Sequence, residues 1–404
     1  KIAADMLADI KSRGESAVLA GIAKFEGVSL KPSELRVSDA EFKDAESKIP
    51  EKIKKLINEA HDRVADFSRQ SMRKEWKVAT RHGGTLGEYY SPLDRVGIYV
   101  PGGTAPLAST VIMTATLAQV AGVPEIVACT PGGKTKQINA AMLYAMHVSG
   151  VTEVYRVGGI QAIGMMAYGV RHCNPVRKIV GPGGTFVTAA KRQVYGTVAL
   201  DLVAGPSEIA ILADDSANPE FVAADLLSQA EHGTGFEKAM FVTNSPDLAQ
   251  EVTAAITRQT AKLTRRNLIR RVTDASGILL IVAPSIDDGL ELINNFSPEH
   301  FELMVRNPEK VVEKVTCAGA VFMGPWTPES VGDFAAGPSH VLPTGGAARM
   351  FSGLTVDDFR RRTSLVGYTE KDLHDALPVI EMFSDIEGLD GHYKSAAIRF
   401  QNQK

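Results

Sequence analysis

The sequence predicts an α/β protein with two Rossmann-like parallel-sheet domains, an N-terminal helical segment ahead of them and a C-terminal helical tail behind. Three observations carry this. The 404 residues exceed what one compact core organises, since domains usually run to roughly 100–200 residues. Near residue 95 the hydrophobic pattern changes from helical spacing to short apolar runs that end in Gly or Pro. From there the runs alternate with Ala-rich helical stretches, the pattern of a parallel sheet with right-handed helical crossovers.

Taken in order, residues 1–75 place apolar residues at helical spacing against faces rich in Lys, Glu and Asp, as in "EKIKKLINEAHDRVADFSRQ". Four strand-turn-helix units follow: "VGIYV" before "TVIMTATLAQVAG", "EIVACT" before "QINAAMLYAMHVSG", "EVYRVGG" before "QAIGMMAYG", and "KIVGPGG" before "FVTAAKRQVYG". A second alternating set has strands at "EIAILAD", "KAMFVTN", "GILLIVA" and "GAVFMG", with helices such as "PEFVAADLLSQAEHG" and "SPDLAQEVTAAITRQTAKL" between them. The expected division is 1–98 with 210–350 as one α/β domain, 99–209 as the other, and 351–404 as a helical tail. Coming after two complete domains, that tail needs a docking surface, such as another subunit.

Composition limits the partners. The net charge of −3, with both signs interspersed, lacks the basic face that nucleic acid or an anionic membrane requires, so a small-molecule ligand fits better. Cys129, Cys173 and Cys317 lie far apart without a C-x-x-C pair and read as free thiols. No run approaches the roughly 20 apolar residues of a membrane span, and the first residues form a charged amphipathic helix rather than a signal sequence, so the expected compartment is the cytosol.

In open parallel sheets ligands bind outside the carboxyl ends of the strands. The loops "YVPGGTAP", "VGGIQ", "VGPGGTF" and "VAGPSE" are glycine-rich and follow apolar runs, so backbone N–H groups and helix N-termini there suit a phosphate. None completes the G-x-G-x-x-G fingerprint, and singly each reads equally well as a tight turn.

In "DLLSQAEHG", Gln229 and His232 fall three residues apart at a helix end, so an amide oxygen and an imidazole nitrogen can converge on one point, for which a metal is one candidate. Taken alone, a histidine there is more often solvated and favoured by the helix dipole. Further donors stand elsewhere: Glu299 beside His300, Asp333 with His340, and Glu387 with His392. Adjacent Glu and His offer two groups able to move protons near neutral pH. Two His, one Asp and a neutral amide would leave zinc one net positive charge and room for substrate. The other five histidines, His61, His82, His147, His172 and His374, have no such company and read as structural or solvated.

Together "YVPGG", "VGGIQA", "GPGGTFVTAAKRQV", "DLVAGPSE", "LLSQAEHG", "SPEHFEL", "GDFAAGPSHVLPT", "FSGLTVDDF" and "EGLDGHYKSAAIR" resemble the histidinol dehydrogenase family, in family order over nearly the whole chain. The resemblance implies a homodimeric enzyme that oxidises L-histidinol to L-histidine through an aldehyde with two NAD+, the last step of histidine biosynthesis. It implies one zinc per active site, held by Gln229, His232, Asp333 and His392. His300 then matches the general base and Glu299 the carboxylate that activates water between the oxidations. Ser207, His340 and Glu387 match substrate contacts, with Gln229 and His232 also facing substrate. The tail bearing Glu387 and His392 comes from the partner subunit, so the active sites are shared.

Tyr99, Gln161 and the Gly184 position match contacts to NAD, which binds the 99–209 domain. Departures occur at Gly184, where the family usually has Asn, at Leu117 and Gln119, where Pro and Lys are more usual, and across 234–240. They leave room for a relative acting on another primary alcohol, such as dihydroxypropanesulfonate. Two further readings are weaker: a ligand-binding protein needs no Glu-His pair beside a metal, and zinc-dependent hydrolysis leaves the glycine loops unexplained.

Overall fold

A computed structural model describes residues 1–102, 106–202, 205–232 and 234–401. The chain divides into two compact units, residues 1–71 with 93–359, and residues 72–92 with 360–404. The larger unit opens with helices Ile2–Arg13, Glu15–Phe25, Asp39–Lys48 and Glu51–Ser71. The third starts at a capping box, Ser38 and Glu41 each accepting the other's backbone N–H. In the smaller unit, β1 (Trp76–Ala79) and β2 (Thr85–Pro92) pair antiparallel.

The first parallel sheet holds β3 (Arg95–Tyr99), β4 (Glu125–Cys129), β5 (Glu153–Tyr155), β6 (Lys178–Val180) and β7 (Ala199–Leu200), in spatial order β5-β4-β3-β6-β7. The second repeats that order with β8 (Glu208–Ala213), β9 (Lys238–Thr243), β10 (Ile278–Val282), β11 (His300–Met304) and β12 (Ala320–Met323), as β10-β9-β8-β11-β12. β3 and β8 are buried along their whole length, as strands covered on both faces must be. In each sheet the direction of winding reverses beside the first strand, between β3 and β6 and between β8 and β11, which are the topological switch points. Helix Ala108–Ala121 is buried almost all round because it is packed between helix Glu51–Ser71, helix Ala140–Val148 and β3.

The two expected sheets are present, and three boundaries differ from expectation. Residues 1–98 were assigned with 210–350, but Leu7, Ile10, Val18 and Ile22 of the first two helices join the apolar core of the first sheet with Ile163 and Met166. Their apolar stripes found the nearer face. The tail expected at 351–404 is not purely helical: β13 (Arg360–Gly367) pairs antiparallel with β2 along its whole length, and helices Glu370–Glu387 and Asp390–Ala397 follow. β13 was hidden because "RRRTSLVG" is charged and largely exposed, so no apolar run marks it. Third, the second set is expected to hold four strands, and a fifth, β11, lies within "SPEHFEL", paired with β8 on one side and β12 on the other.

Candidate active site

That third difference decides how the site is built. His300 is the first residue of β11, and Glu299 lies just before it, so both stand at the amino end of the second sheet. Helix Ile286–Phe296 ends with Ser297 at φ 57°, and Pro298 turns the chain into the strand. Ser297 is fixed by the Arg349 guanidinium, whose Nε donates to its Oγ at 2.8 Å. The neighbouring strand starts with Glu208. Its N–H donates to Glu299 Oε2 at 2.9 Å, and its carbonyl lies 3.1 Å from His300 Nδ1. Only a protonated Nδ1 can bond a carbonyl, which leaves Nε2 as the basic nitrogen. His300 Nε2 is buried without a hydrogen-bond partner and stands 3.8 Å from Asp333 Oδ1. Burial pulls the His300 pKa down to about 4 against the opposing pull of Asp333, so the ring is neutral at physiological pH.

Gln229 and His232 meet as their spacing predicts. Asn218 caps helix Pro219–Ala230, placing Gln229 fully buried in its last turn, and His232 Nδ1 stands 3.4 Å from the Gln229 amide nitrogen. The Gln229 amide oxygen is buried without a partner. Gly233, expected to stop this helix, lies outside the described residues. Asp333 is carried by helix Glu329–Phe334, and its carbonyl lies 3.1 Å from His340 Nδ1. Burial lowers the His340 pKa, keeping a second neutral imidazole beside the group. Ser339 Oγ donates to the Met113 carbonyl at 2.8 Å, seating this segment on helix Ala108–Ala121.

One residue here was not anticipated. Glu329 is buried, its Oε1 is 3.6 Å from His300 Nδ1, and its Oε2 accepts the Ser228 hydroxyl at 3.2 Å. Ligand atoms of His300, Glu329 and Asp333 all lie within 4.8 Å of one another, close enough to hold a metal ion. The signal was available: Glu329 and Asp333 are four apart in "ESVGDF", which puts both carboxyls on one helical face. Behind Glu329 stand Glu302, whose Oε1 accepts the Glu329 N–H at 2.7 Å, and Asp225, pushed up to about 6 by burial.

Several buried carboxyls crowd this edge. Burial raises the carboxyl pKa values of Glu299, Glu302 and Glu329, and mutual repulsion among neighbouring carboxylates raises them further. Gln229 Oε1 and His300 Nε2 are both buried without a partner. Oxygen and nitrogen donors of these kinds are what a divalent ion such as zinc takes.

Comparison with known proteins now decides the family. The family model described as histidinol dehydrogenase matches residues 1–400. The histidinol dehydrogenase of Heliobacterium mobile is 42% identical over 398 residues, covering 98% of this chain and 93% of that protein. That of Synechococcus is 43% identical over 393 residues, covering 97% and 90%. The chain belongs to the histidinol dehydrogenase family. The crystal structure of the Elizabethkingia anophelis enzyme superposes with a TM-score of 0.95 at 35% identity, over 99% of this chain and 92% of that one. An acetylating aldehyde dehydrogenase from Geobacillus thermoglucosidasius, at 14% identity and a TM-score of 0.54, shares the fold alone. As a family member the chain is an oxidoreductase. No helix among the described residues is long and apolar enough to cross a membrane.

The remaining matched positions fall in two places. At the carboxyl edge of the first sheet, Tyr99 ends β3 and its hydroxyl accepts the Gly159 N–H at 3.1 Å. Gln161 and Tyr99 are both buried, Gln161 packed beneath Gly21 of the second helix. Gly184 starts helix Thr185–Val194 with open space where a side chain would project. Residues 103–105 of the "YVPGGTAP" loop and 203–204 of "VAGPSE" lie outside the described residues. Ser207 stands half-buried just ahead of Glu208, at the catalytic edge of the second sheet.

Glu387 and His392 belong to the smaller unit, where both are exposed, Glu387 ending one helix and His392 in the next. The departures have local explanations. Leu117 is core, and Gln119 bonds His61 Nε2 at 2.8 Å and the Val148 carbonyl at 3.3 Å, joining three helices. Residues 234–237 form a turn closed by the buried Glu237, which accepts the Thr234 and Gly235 N–H groups. His82 and His172 pair with Asp375 and Glu15 and are structural, as expected.

Proposed function

We propose that the chain oxidises L-histidinol to L-histidine through L-histidinal, with two NAD+ and a zinc ion, in the cytosol. What supports the reading most is His300: a buried neutral imidazole with a bare Nε2, flanked by Glu299 and facing Asp333. Gln229, His232 and Asp333, with His392 of the partner subunit, would hold the zinc, and the unpartnered Gln229 oxygen and excess carboxylate fit that role. Zinc there would fix the amine and imidazole end of the substrate and act as a Lewis acid. NAD+, when bound, would supply the hydride acceptor for each oxidation.

In the first oxidation His300 Nε2 accepts the alcohol proton as the hydride departs from the same carbon. Its Nδ1–H stays on the Glu208 carbonyl, so the ring keeps its orientation throughout. In the second, Glu299 draws a proton from water as the oxygen adds to the aldehyde carbon, and His300 returns the proton it took in the first oxidation to the carbonyl oxygen. Neutral again, His300 takes the hydroxyl proton of that hydrate as the second hydride departs. Burial raises the Glu299 pKa, the direction that makes a carboxylate a stronger base. Ser207 and His340 of the same subunit, with Glu387 of the partner subunit, would complete the substrate contacts.

The exposed apolar residues Val379, Met382, Phe383 and Ile386 on the tail helix support docking on a second copy. Mixing inactive His300→Ala and His392→Ala chains should therefore restore activity in heterodimers; proven subunit exchange without recovery contradicts a shared site. To test the substrate, NADH formation by zinc-loaded protein is compared across L-histidinol and other primary alcohols, including dihydroxypropanesulfonate. Turnover should be confined to histidinol. Turnover of another alcohol instead would show the same machinery serving a reassigned pocket, for which the 234–237 turn and Gly184 are the first places to look.

A further inference from the structure

The loop after β6 is held by a device the chemistry above does not use. Lys191, in helix Thr185–Val194, and Asp201, just past β7, form an ion pair whose side chains are 4% and 1% exposed. Both reach the same glycine. Lys191 Nζ donates to the Gly181 carbonyl at 2.9 Å, while Asp201 Oδ2 accepts the Gly181 N–H at 2.7 Å. Gly181 sits at φ 111°, and a Cβ there would stand 2.2 Å from the Tyr99 carbonyl, so the loop is pressed against the end of β3 at the switch point. Next along, the Thr188 hydroxyl donates to the Gly183 carbonyl at 3.1 Å. The open side of the loop is Gly184 and the helix N-terminus behind it.

A buried ion pair contributes little net stability over apolar residues of the same size, so its retention calls for a geometric role. Here it supplies both backbone partners of a left-handed residue that neither neighbouring strand can serve. We infer that Lys191 and Asp201 are positioning residues for the cofactor, their ion pair fixing the Gly181–Gly184 loop against β3 in the one conformation that accepts the dinucleotide. This rests on the reading that NAD binds at this edge.

The test is fluorescence titration of zinc-loaded full-length protein with NADH, with KM for NAD+ and for histidinol measured in parallel. Asp201→Asn and Lys191→Met should each weaken NADH binding by about tenfold, as expected for a displaced binding loop, while KM for histidinol and zinc content stay at wild-type values. Should those singles fold poorly, two further variants decide. Lys191→Met with Asp201→Leu leaves no unpaired buried charge, and Gly181→Ala moves the loop without touching the pair; both should bind NADH as weakly as the singles. Wild-type NADH affinity in the folded double variant would make the pair merely structural and overturn the inference. If wild-type protein itself binds no NADH, the cofactor reading falls and takes the inference with it; if wild type binds and the folded variants bind equally well, only the inference falls.

Discussion

At the scale of single residues, the proposed chemistry separates two tasks between adjacent positions in "PEH". His300 is oriented by the Glu208 carbonyl and Glu299 by the Glu208 N–H, so one backbone residue of β8 sets both groups. His300→Asn should lower the rate of both oxidations by roughly 10²–10⁴, the usual worth of a general base. Glu299→Gln should spare the first and slow the second, so rapid-quench assays should find aldehyde accumulating only in that variant. Equal slowing of both steps by Glu299→Gln would contradict the division. Glu329→Gln keeps the shape but not the charge beside His300 Nδ1, and should lower kcat by about tenfold while KM for NAD+ is unchanged. These residues were legible in part. Gln229 with His232, Glu299 with His300, and Asp333 with His340 each showed as a local pair, and the structure brings all three together. Glu329 had a local signal in its four-residue spacing to Asp333, but its burial against Glu302 depends on residues distant in sequence.

At the scale of elements, strands with apolar runs were readable and those without were not. β3, β4, β8 and β9 are largely buried and announced themselves, whereas β13 is mostly exposed and finds its place only by pairing with β2. β11 was obscured by its own chemistry: a strand that begins with His300 and carries Glu302 spends its pattern on the site. The side of the second sheet that carries the site was also not legible, since the rule for open sheets points to carboxyl ends and His300 stands at an amino end. In the smaller unit, the 80–84 turn is tied to helix Glu370–Glu387 by Asp372, which accepts from the Thr80 hydroxyl, the His82 N–H, and the Thr369 N–H and hydroxyl. Burial raises the carboxyl pKa, but these donors outweigh it and hold the group well below the usual range. A depressed carboxyl stabilises the folded state fully above its unfolded value of about 3.9 and loses that contribution as pH falls through the folded value. Hydrogen exchange in the 80–84 and 369–372 segments should therefore accelerate below roughly pH 4, and Asp372→Asn should show fast exchange already at neutral pH. Protection unchanged in the variant would contradict this tie.

At the scale of the molecule, two sheets share one strand order, and the proposed function assigns the cofactor to the carboxyl edge of the first and the chemistry to the amino edge of the second. On that proposal a cation would join the buried carboxyls of the second edge. Removing the metal with a chelator should lower the melting temperature, and zinc should restore it, by the roughly 2.7 kcal/mol that a ligand at a hundred times its Kd contributes. A melting temperature indifferent to chelator and zinc would mean that the charge is relieved in another way. The whole account turns on one base serving two successive oxidations at one carbon. Its most direct test is the yield of NADH per L-histidinol consumed by the zinc-loaded protein, with histidine measured as product. Two NADH per histidinol, with one histidine formed, is the predicted result; a single NADH with aldehyde released, or none, would contradict it.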